Sequence, residues 1–232
     1  IGFPRSGTTL LDTILRSHSS IKVMEELPIL ENIIIKLNKN TNGDFNKLRN
    51  INENLLSELR DCYYENRTKI IKEDDNNKIY IDKMPLNIIY VGEILRIFPN
   101  AKFILTLRHP CDCVLSSFMQ SFKLNDAMAN FLSLEDSTNL YNNAMELWTK
   151  YLKSFSINYC SVKYENIVFN FEKTISSILE FLDLPWSDNV FDFQKTAKNR
   201  GLIHTPSYNQ VVKPIYNKSV GRWKYYEKNM SN

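Results

Sequence analysis

The chain has 232 residues, 43% hydrophobic and 24% charged, the composition of an ordinary globular domain with room for a sizeable core. A net charge of +3 is too small to argue for nucleic acid as a partner, and no apolar run reaches the roughly 20 residues of a membrane-spanning helix. The four cysteines, Cys62, Cys111, Cys113 and Cys160, make no CxxC pair, and no Cys/His cluster has zinc spacing.

Ile1-Gly2-Phe3 reads as the end of a buried strand, Pro4 to Gly7 as a tight loop, and residues 7–17 as a helix with apolar Leu10, Leu11, Ile14 and Leu15. A chain that opens on the end of a strand predicts further residues upstream, and no signal peptide is visible. Ile21 to Met24 predicts a short strand running into Glu25-Glu26. Pro28 suits a helix start, and Leu30, Ile33, Ile34 and Leu37 carry the helical period. Asn40 to Asp44 reads as a polar loop, Leu48 to Ile71 as one long helix, and Glu73 to Asn77 as a charged turn. Lys78 to Ile81 predicts a strand ending at Asp82-Lys83, Asn87 to Phe98 a helix, and Lys102 to Leu107 a buried strand ending at Arg108. Asp112 to Phe122 reads as helical, and Asp126 to Phe155 as one long helix or a broken pair. Tyr159 to Tyr164 predicts another strand, and Ile167 to Leu182 a helix closed by Leu184-Pro185. The remainder is expected to be irregular until a short element near Ser219 to Lys228.

Strands alternating with helices predict an α/β domain spanning residues 1–232, with a central parallel sheet covered by helices on both faces. In such sheets ligands sit at the carboxyl ends of the strands. Those ends would bring the Arg5 loop, Glu26, Lys83, Arg108 and Tyr164 to one edge. The loop Gly2 to Thr9 has the spacing of a nucleotide P-loop, G-x-x-x-x-G-K-[ST], except that Thr8 stands in place of the lysine. That lysine normally reaches the β/γ-phosphates, so its absence argues against ATP or GTP hydrolysis. Backbone N–H groups and a helix N-terminus still make an anion cradle, and Arg5 supplies a cation. Taken alone, the stretch could also be a glycine turn before an ordinary helix.

Pro4-Arg5-Ser6-Gly7-Thr8-Thr9 resembles the 5′-phosphosulfate loop of sulfotransferases, whose donor is 3′-phosphoadenosine 5′-phosphosulfate (PAPS) and whose product is 3′,5′-adenosine bisphosphate. Through Glu25-Glu26 the stretch is similar to protein-tyrosine sulfotransferases and to bacterial relatives with tetratricopeptide repeats upstream. The resemblance continues in patches to about residue 224. It implies a P-loop-NTPase-like fold and PAPS bound by Arg5, Ser6, Gly7, Thr8 and Thr9. Glu26, counted without gaps from Arg5, falls at the general-base position. Glu25, its neighbour at the strand end, is expected to point to the opposite face. Asp82-Lys83-Met84-Pro85 resembles the Lys-x-Pro segment, in which Lys83 would neutralise charge on the bridging oxygen. Leu107-Arg108-His109-Pro110 with Ser116 resembles the 3′-phosphate segment, where an arginine fork suits a phosphate. Tyr164 matches a tyrosine near the adenine, or else is a core tyrosine at a strand end. Lys218-Ser219-Val220-Gly221-Arg222-Trp223-Lys224 resembles the late cofactor loop, with Ser219 at the bridging oxygen and Lys218, Gly221, Arg222, Trp223 and Lys224 around the phosphates.

Departures from the family narrow these expectations. Animal tyrosine sulfotransferases carry a disulfide near the glutamate pair and the catalytic lysine; Met24 and Asp82 occupy those neighbourhoods here, which favours a reducing, cytoplasmic compartment. Leu27-Pro28 replaces the Thr and Arg that follow the glutamates in those enzymes. Cytosolic sulfotransferases use a histidine base, but His18, His109 and His204 leave none between residues 19 and 108; His18 and His109 read as structural or loop residues. A sulfuryl group carries less charge than a phosphoryl group, so no metal is expected. The acceptor stays open between a protein or peptide tyrosine, a sugar hydroxyl and a small phenol, and a homodimer is one assembly open to the chain. The alternatives are a P-loop kinase and an inactive nucleotide-binding module that docks partners within a larger repeat protein.

Overall fold

The computed structural model describes residues 1–71, 77–199 and 208–230. Strands β1 (Ile21–Glu25) and β2 (Ile79–Lys83) pair in parallel, Ile21 opposite Ile79 and Glu25 opposite Lys83. β3 (Phe103–Leu107) and β4 (Tyr159–Lys163) pair in parallel from Phe103 opposite Tyr159 to Leu107 opposite Lys163. The first residues stitch the two ladders together. Thr106 N–H donates to the Ile1 carbonyl at 3.0 Å, and Gly2 N–H to the Pro85 carbonyl at 3.0 Å. Gly2 bridges Thr106, and a Cβ there would lie 2.4 Å from Thr106 Oγ1, so only glycine lets the strands meet.

Successive strand residues face opposite sides, and each side has its own core. Phe103, Leu105 and Met24 pack with α2 (Ile29–Thr41), α3 (Glu53–Ile70), α4 (Val91–Ile97) and α6 (Leu134–Ser154). Ile21, Val23 and Val162 pack with α1 (Thr8–Arg16), α8 (Phe171–Phe181) and α9 (Phe193–Asn199). Burying each large apolar side chain stabilises the fold by roughly 1.5–3 kcal/mol, so each helical layer is held by strands of both ladders. α5 (Pro110–Phe118), α7 (Tyr164–Phe169) and α10 (Tyr208–Val211) lie at the carboxyl edge or near it.

Side-chain caps divide several helices that the apolar period reads as continuous. The expected helix from Leu48 to Ile71 is a 3-10 turn over Phe45–Asn50 followed by α3. Asn52 accepts from Leu55 N–H at 2.9 Å, while Arg96 binds the Leu48 and Ile51 carbonyls at 3.0 and 2.8 Å. Between Asp126 and Phe155 the chain breaks at Ser133, whose hydroxyl caps α6 through Asp136 N–H at 3.0 Å. Asn170 separates α7 from α8, and Tyr164 opens α7 rather than ending β4. Pro85 starts a 3-10 turn over Pro85–Tyr90 before α4. α5 stops at Phe118, four residues before its expected end, and the freed Ser121 and Phe122 line a cleft. The stretch after Pro185 is more regular than expected: a 3-10 turn over Asp188–Asp192 and α9 bury Val190, Phe193 and Ala197. Their spacing is helical, but two short turns carry too few apolar residues to stand out from a loop. Among the described residues no helix is long and apolar enough to cross a membrane.

Candidate active site

The carboxyl ends of the strands open on a cleft of about 670 Å³, lined in part by Arg5, Gly7, Thr8, Thr9, Glu26, Arg108, Tyr164 and Ser219. Its size falls within the range of small-molecule sites. A smaller cavity of about 140 Å³ is lined by Ser116 and Arg222 and shares Arg5, Arg108 and Ser219 with the cleft.

The loop owes its shape to three positive backbone angles: Gly2 at φ 156°, Arg5 at 66° and Gly7 at 101°. Gly7 is the N-cap of α1 and contributes no side-chain cap, and no acidic residue stands in the first turn. The first-turn N–H groups have no carbonyl one turn earlier, which leaves them to an anion. A Cβ on Gly7 would sit 2.8 Å from Tyr164 Cδ2, so the Tyr164 ring and the loop need glycine between them. Ser6 takes a different place from that expected. It is 1% exposed, its hydroxyl pairs with Thr106 Oγ1 at 2.8 Å, and its N–H donates to the Phe3 carbonyl at 3.1 Å. It braces the loop against β3.

Arg5 and Arg108 define the cationic end. Arg5 Nε donates to Ser116 Oγ at 3.1 Å, and another of its nitrogens to Gln210 Oε1 at 3.3 Å. Burial, then the neighbouring Arg108 charge, lowers the Arg5 pKa. The Arg108 side chain is 8% exposed. It donates to the Arg5 carbonyl at 3.0 Å and to the Ser219 carbonyl, and lies 5.0 Å over the Tyr164 ring. Its Nε is buried with no hydrogen-bond acceptor among the described residues. Burial raises the pKa of Tyr164, which is hydrogen-bonded to Ser219.

The glutamate pair departs from the expected geometry. Glu25 and Glu26 do not face opposite sides: Lys83 Nζ donates to Glu25 Oε1 at 3.1 Å and to Glu26 Oε1 at 2.7 Å. The reason is backbone. β1 ends at Glu25, and Glu26 turns into the left-handed region at φ 49°, so strand alternation no longer applies between them. Glu26 N–H continues the ladder to the Lys83 carbonyl at 2.8 Å. Side-chain exposure is 6% for Lys83, 10% for Glu25 and 31% for Glu26. Glu26 lines the cleft; Glu25 and Lys83 lie behind it.

The late loop is divided. Ser219 reaches the cleft and Arg222 the smaller cavity, whereas Lys218 and Lys224 are exposed and line neither. Gly221 and Trp223 give their N–H groups to Asp112 Oδ2 and Oδ1 at 2.7 and 2.9 Å. Arg222–Asn229 forms a 3-10 turn with no buried residue. His18 is structural: it is 3% exposed, accepts from Ser20 N–H at Nδ1 and meets the Pro185 carbonyl at Nε2. His109 stacks on Trp223. His204 lies outside the described residues. Reading the sequence missed Glu25, Asp112, Gln210 and Tyr216 as parts of the site. Of these, Glu25 had a signal in its place beside Glu26, and Asp112 in its place four residues after Arg108 at the start of a helix.

A profile described as Sulfotransferase family matches residues 1–188 of the chain. The chain is 33% identical over 236 residues to an uncharacterized protein of Aquifex aeolicus, a match covering 98% of this chain and 30% of that protein. It is 28% identical over 229 residues to protein-tyrosine sulfotransferase 1 of Danio rerio, covering 96% of this chain and 64% of that protein. The chain thus spans less than two thirds of the length of either relative. Two solved structures share the fold. The sulfotransferase domain from the curacin biosynthetic pathway has a TM-score of 0.64 at 18% identity, over 97% of this chain and 90% of that one. The sulfotransferase domain from the Synechococcus PCC 7002 olefin synthase has a TM-score of 0.66 at 19% identity, over 97% of this chain and 86% of that one. The fold is the P-loop-like α/β architecture of sulfotransferases.

Proposed function

The chain belongs to the sulfotransferase family, and we propose that it moves a sulfuryl group from PAPS to an acceptor hydroxyl with Glu26 as general base. Arg108 carries this reading. Its buried Nε has no acceptor among the described residues, and it stands beside Arg5 and Ser116 in a cavity adjoining the anion cradle. Two neighbouring anion subsites suit a nucleotide bearing both a 5′-phosphosulfate and a 3′-phosphate, and ATP lacks the second. When bound, PAPS supplies the activated sulfuryl group.

In this reading the first-turn N–H groups of α1 and the Arg5 guanidinium hold the 5′ end, and Arg108 with Ser116 holds the 3′-phosphate. Glu26, on the cleft wall, takes the proton from the acceptor hydroxyl. Lys83, once Glu26 turns to the acceptor, neutralises charge on the departing oxygen together with Ser219. Residues 1–232 act as one sulfotransferase domain. Met84, Leu86, Phe122 and Met128 form an apolar part of the wall, which favours a hydroxyl on an aromatic or aliphatic group over a sugar. A kinase is disfavoured because Thr8 replaces the P-loop lysine. An inactive docking module would have no need of a carboxylate and a hydroxyl on one cleft wall with a buried ammonium paired to that carboxylate.

Calorimetry with 3′,5′-adenosine bisphosphate and AMP tests the reading. A lost charged hydrogen bond is worth roughly 1.5–3 kcal/mol, about ten- to a hundredfold in affinity. The bisphosphate is expected to bind at least that much more tightly, and Arg108→Ala to erase most of the gap. Equal affinities in the wild-type protein refute the donor assignment. With labelled PAPS, Glu26→Gln is expected to lower turnover about 10²–10⁴-fold while bisphosphate binding survives.

A further inference from the structure

The segment carrying Ser219 has little apolar burial to hold it: the 3-10 turn Arg222–Asn229 buries no residue. Polar contacts to the β3–α5 junction take that role. Arg108 donates to the Ser219 carbonyl. Asp112, 1% exposed, accepts Gly221 N–H at 2.7 Å through Oδ2 and Trp223 N–H at 2.9 Å through Oδ1. His109 stacks on the Trp223 indole with ring centroids 4.9 Å apart and planes 11° apart. Gly221, at φ 69°, makes the turn that aims both amides at one carboxylate.

We propose that Asp112 is a positioning residue, a latch whose two oxygens hold the 216–229 strap closed against the anion pocket so that Ser219 and Arg222 face it. The proposal rests on the reading of that pocket as the PAPS site. The Asp112 carboxylate joins the strap to the body of the fold. It fixes two backbone amides of the strap, and Oδ2 lies 4.0 Å from an Arg108 guanidinium nitrogen. An anion in the pocket would then touch Arg108 on the body of the fold and Arg222 on the strap together. Release of that anion is therefore coupled to opening of the strap.

The test is release of 3′,5′-adenosine bisphosphate, followed by stopped flow, with amide exchange of residues 216–229 as the readout of the strap itself. Asp112→Asn keeps the shape but sets an NH2 group against one of the two amides. It is expected to speed release about tenfold or more, to raise the PAPS KM more than it lowers kcat, and to speed exchange in the strap. Trp223→Ala removes the stack from the strap side, without touching α5, and is expected to act in the same direction. Asp112→Glu keeps the charge but displaces both oxygens from the two amides, and it decides the question if Asp112→Asn fails to fold. A residue that only stabilised the fold would lower Tm without changing release from the folded protein. Wild-type rates of release in a folded Asp112→Asn, or in Asp112→Glu should the first not fold, overturn the latch alone. A wild-type protein that does not bind the bisphosphate overturns the donor assignment and the latch with it.

Discussion

Replacing Lys83 by methionine tests how three charges are held at one strand end. The lysine lies between two carboxylates, with side-chain exposures of 6% for Lys83, 10% for Glu25 and 31% for Glu26. Without the ammonium, Glu25 remains as a nearly buried charge deprived of its lysine, while Glu26 is open enough to turn to water. Losing one partner of a buried pair costs about 3–5 kcal/mol. In a domain of this size each kcal/mol moves Tm by roughly 2–4 °C, so Lys83→Met is expected to melt roughly 6–20 °C lower. Glu25→Gln leaves Lys83 paired with Glu26 and removes one charged hydrogen bond, a loss of about 1.5–3 kcal/mol. The double variant contains neither the buried ammonium nor the buried carboxylate. Its loss in urea denaturation is expected to fall short of the two single losses combined by at least about 1 kcal/mol. Additive losses, or a Lys83→Met protein with wild-type Tm, would refute the shared-lysine geometry.

Gly7→Ala places a Cβ 2.8 Å from the Tyr164 ring at a φ of 101°, and calorimetry is expected to show at least about a tenfold weaker bisphosphate affinity; unchanged affinity would show that the loop tolerates the shift. Glu93 is 4% exposed, and burial raises its carboxyl pKa above the ordinary 4.5. A raised folded pKa means stability that is present below the unfolded pKa and lost as pH climbs through the folded one. Glu93→Gln should therefore be more stable than wild type at pH 7 and lose that advantage near pH 4; equal pH profiles in thermal melts would count against it.

Most of the scaffold was legible in short stretches of sequence. The runs Ile21 to Met24, Lys78 to Ile81, Lys102 to Leu107 and Tyr159 to Tyr164 predict strands within a residue or so of β1 to β4, because short runs with apolar residues at strand spacing face a core on at least one side. Helix interruptions were harder to read. Asn52, Ser133 and Asn170 look like ordinary polar residues on a helix until a neighbouring backbone amide or a turn gives them a capping role.

The candidate site divides in the same way. Spacing alone singles out the Gly2–Thr9 loop, and the resemblance adds Glu26, Lys83 and Arg108, each at a strand end or just after it, and Ser116 within α5, where local pattern determines position. Partnership was decided by the tertiary structure. Lys83 meets Glu25 across 58 positions of sequence, and Asp112 meets Gly221 across 109. Ser6 spends its hydroxyl on Thr106, 100 residues away, instead of on the cleft. The chain's local periodicity specifies which residues are apolar, which cap and which may turn. It carries no term for the distance between two strand ends, and that distance, set by packing both helical layers on the two ladders, determines which carboxylate meets which cation.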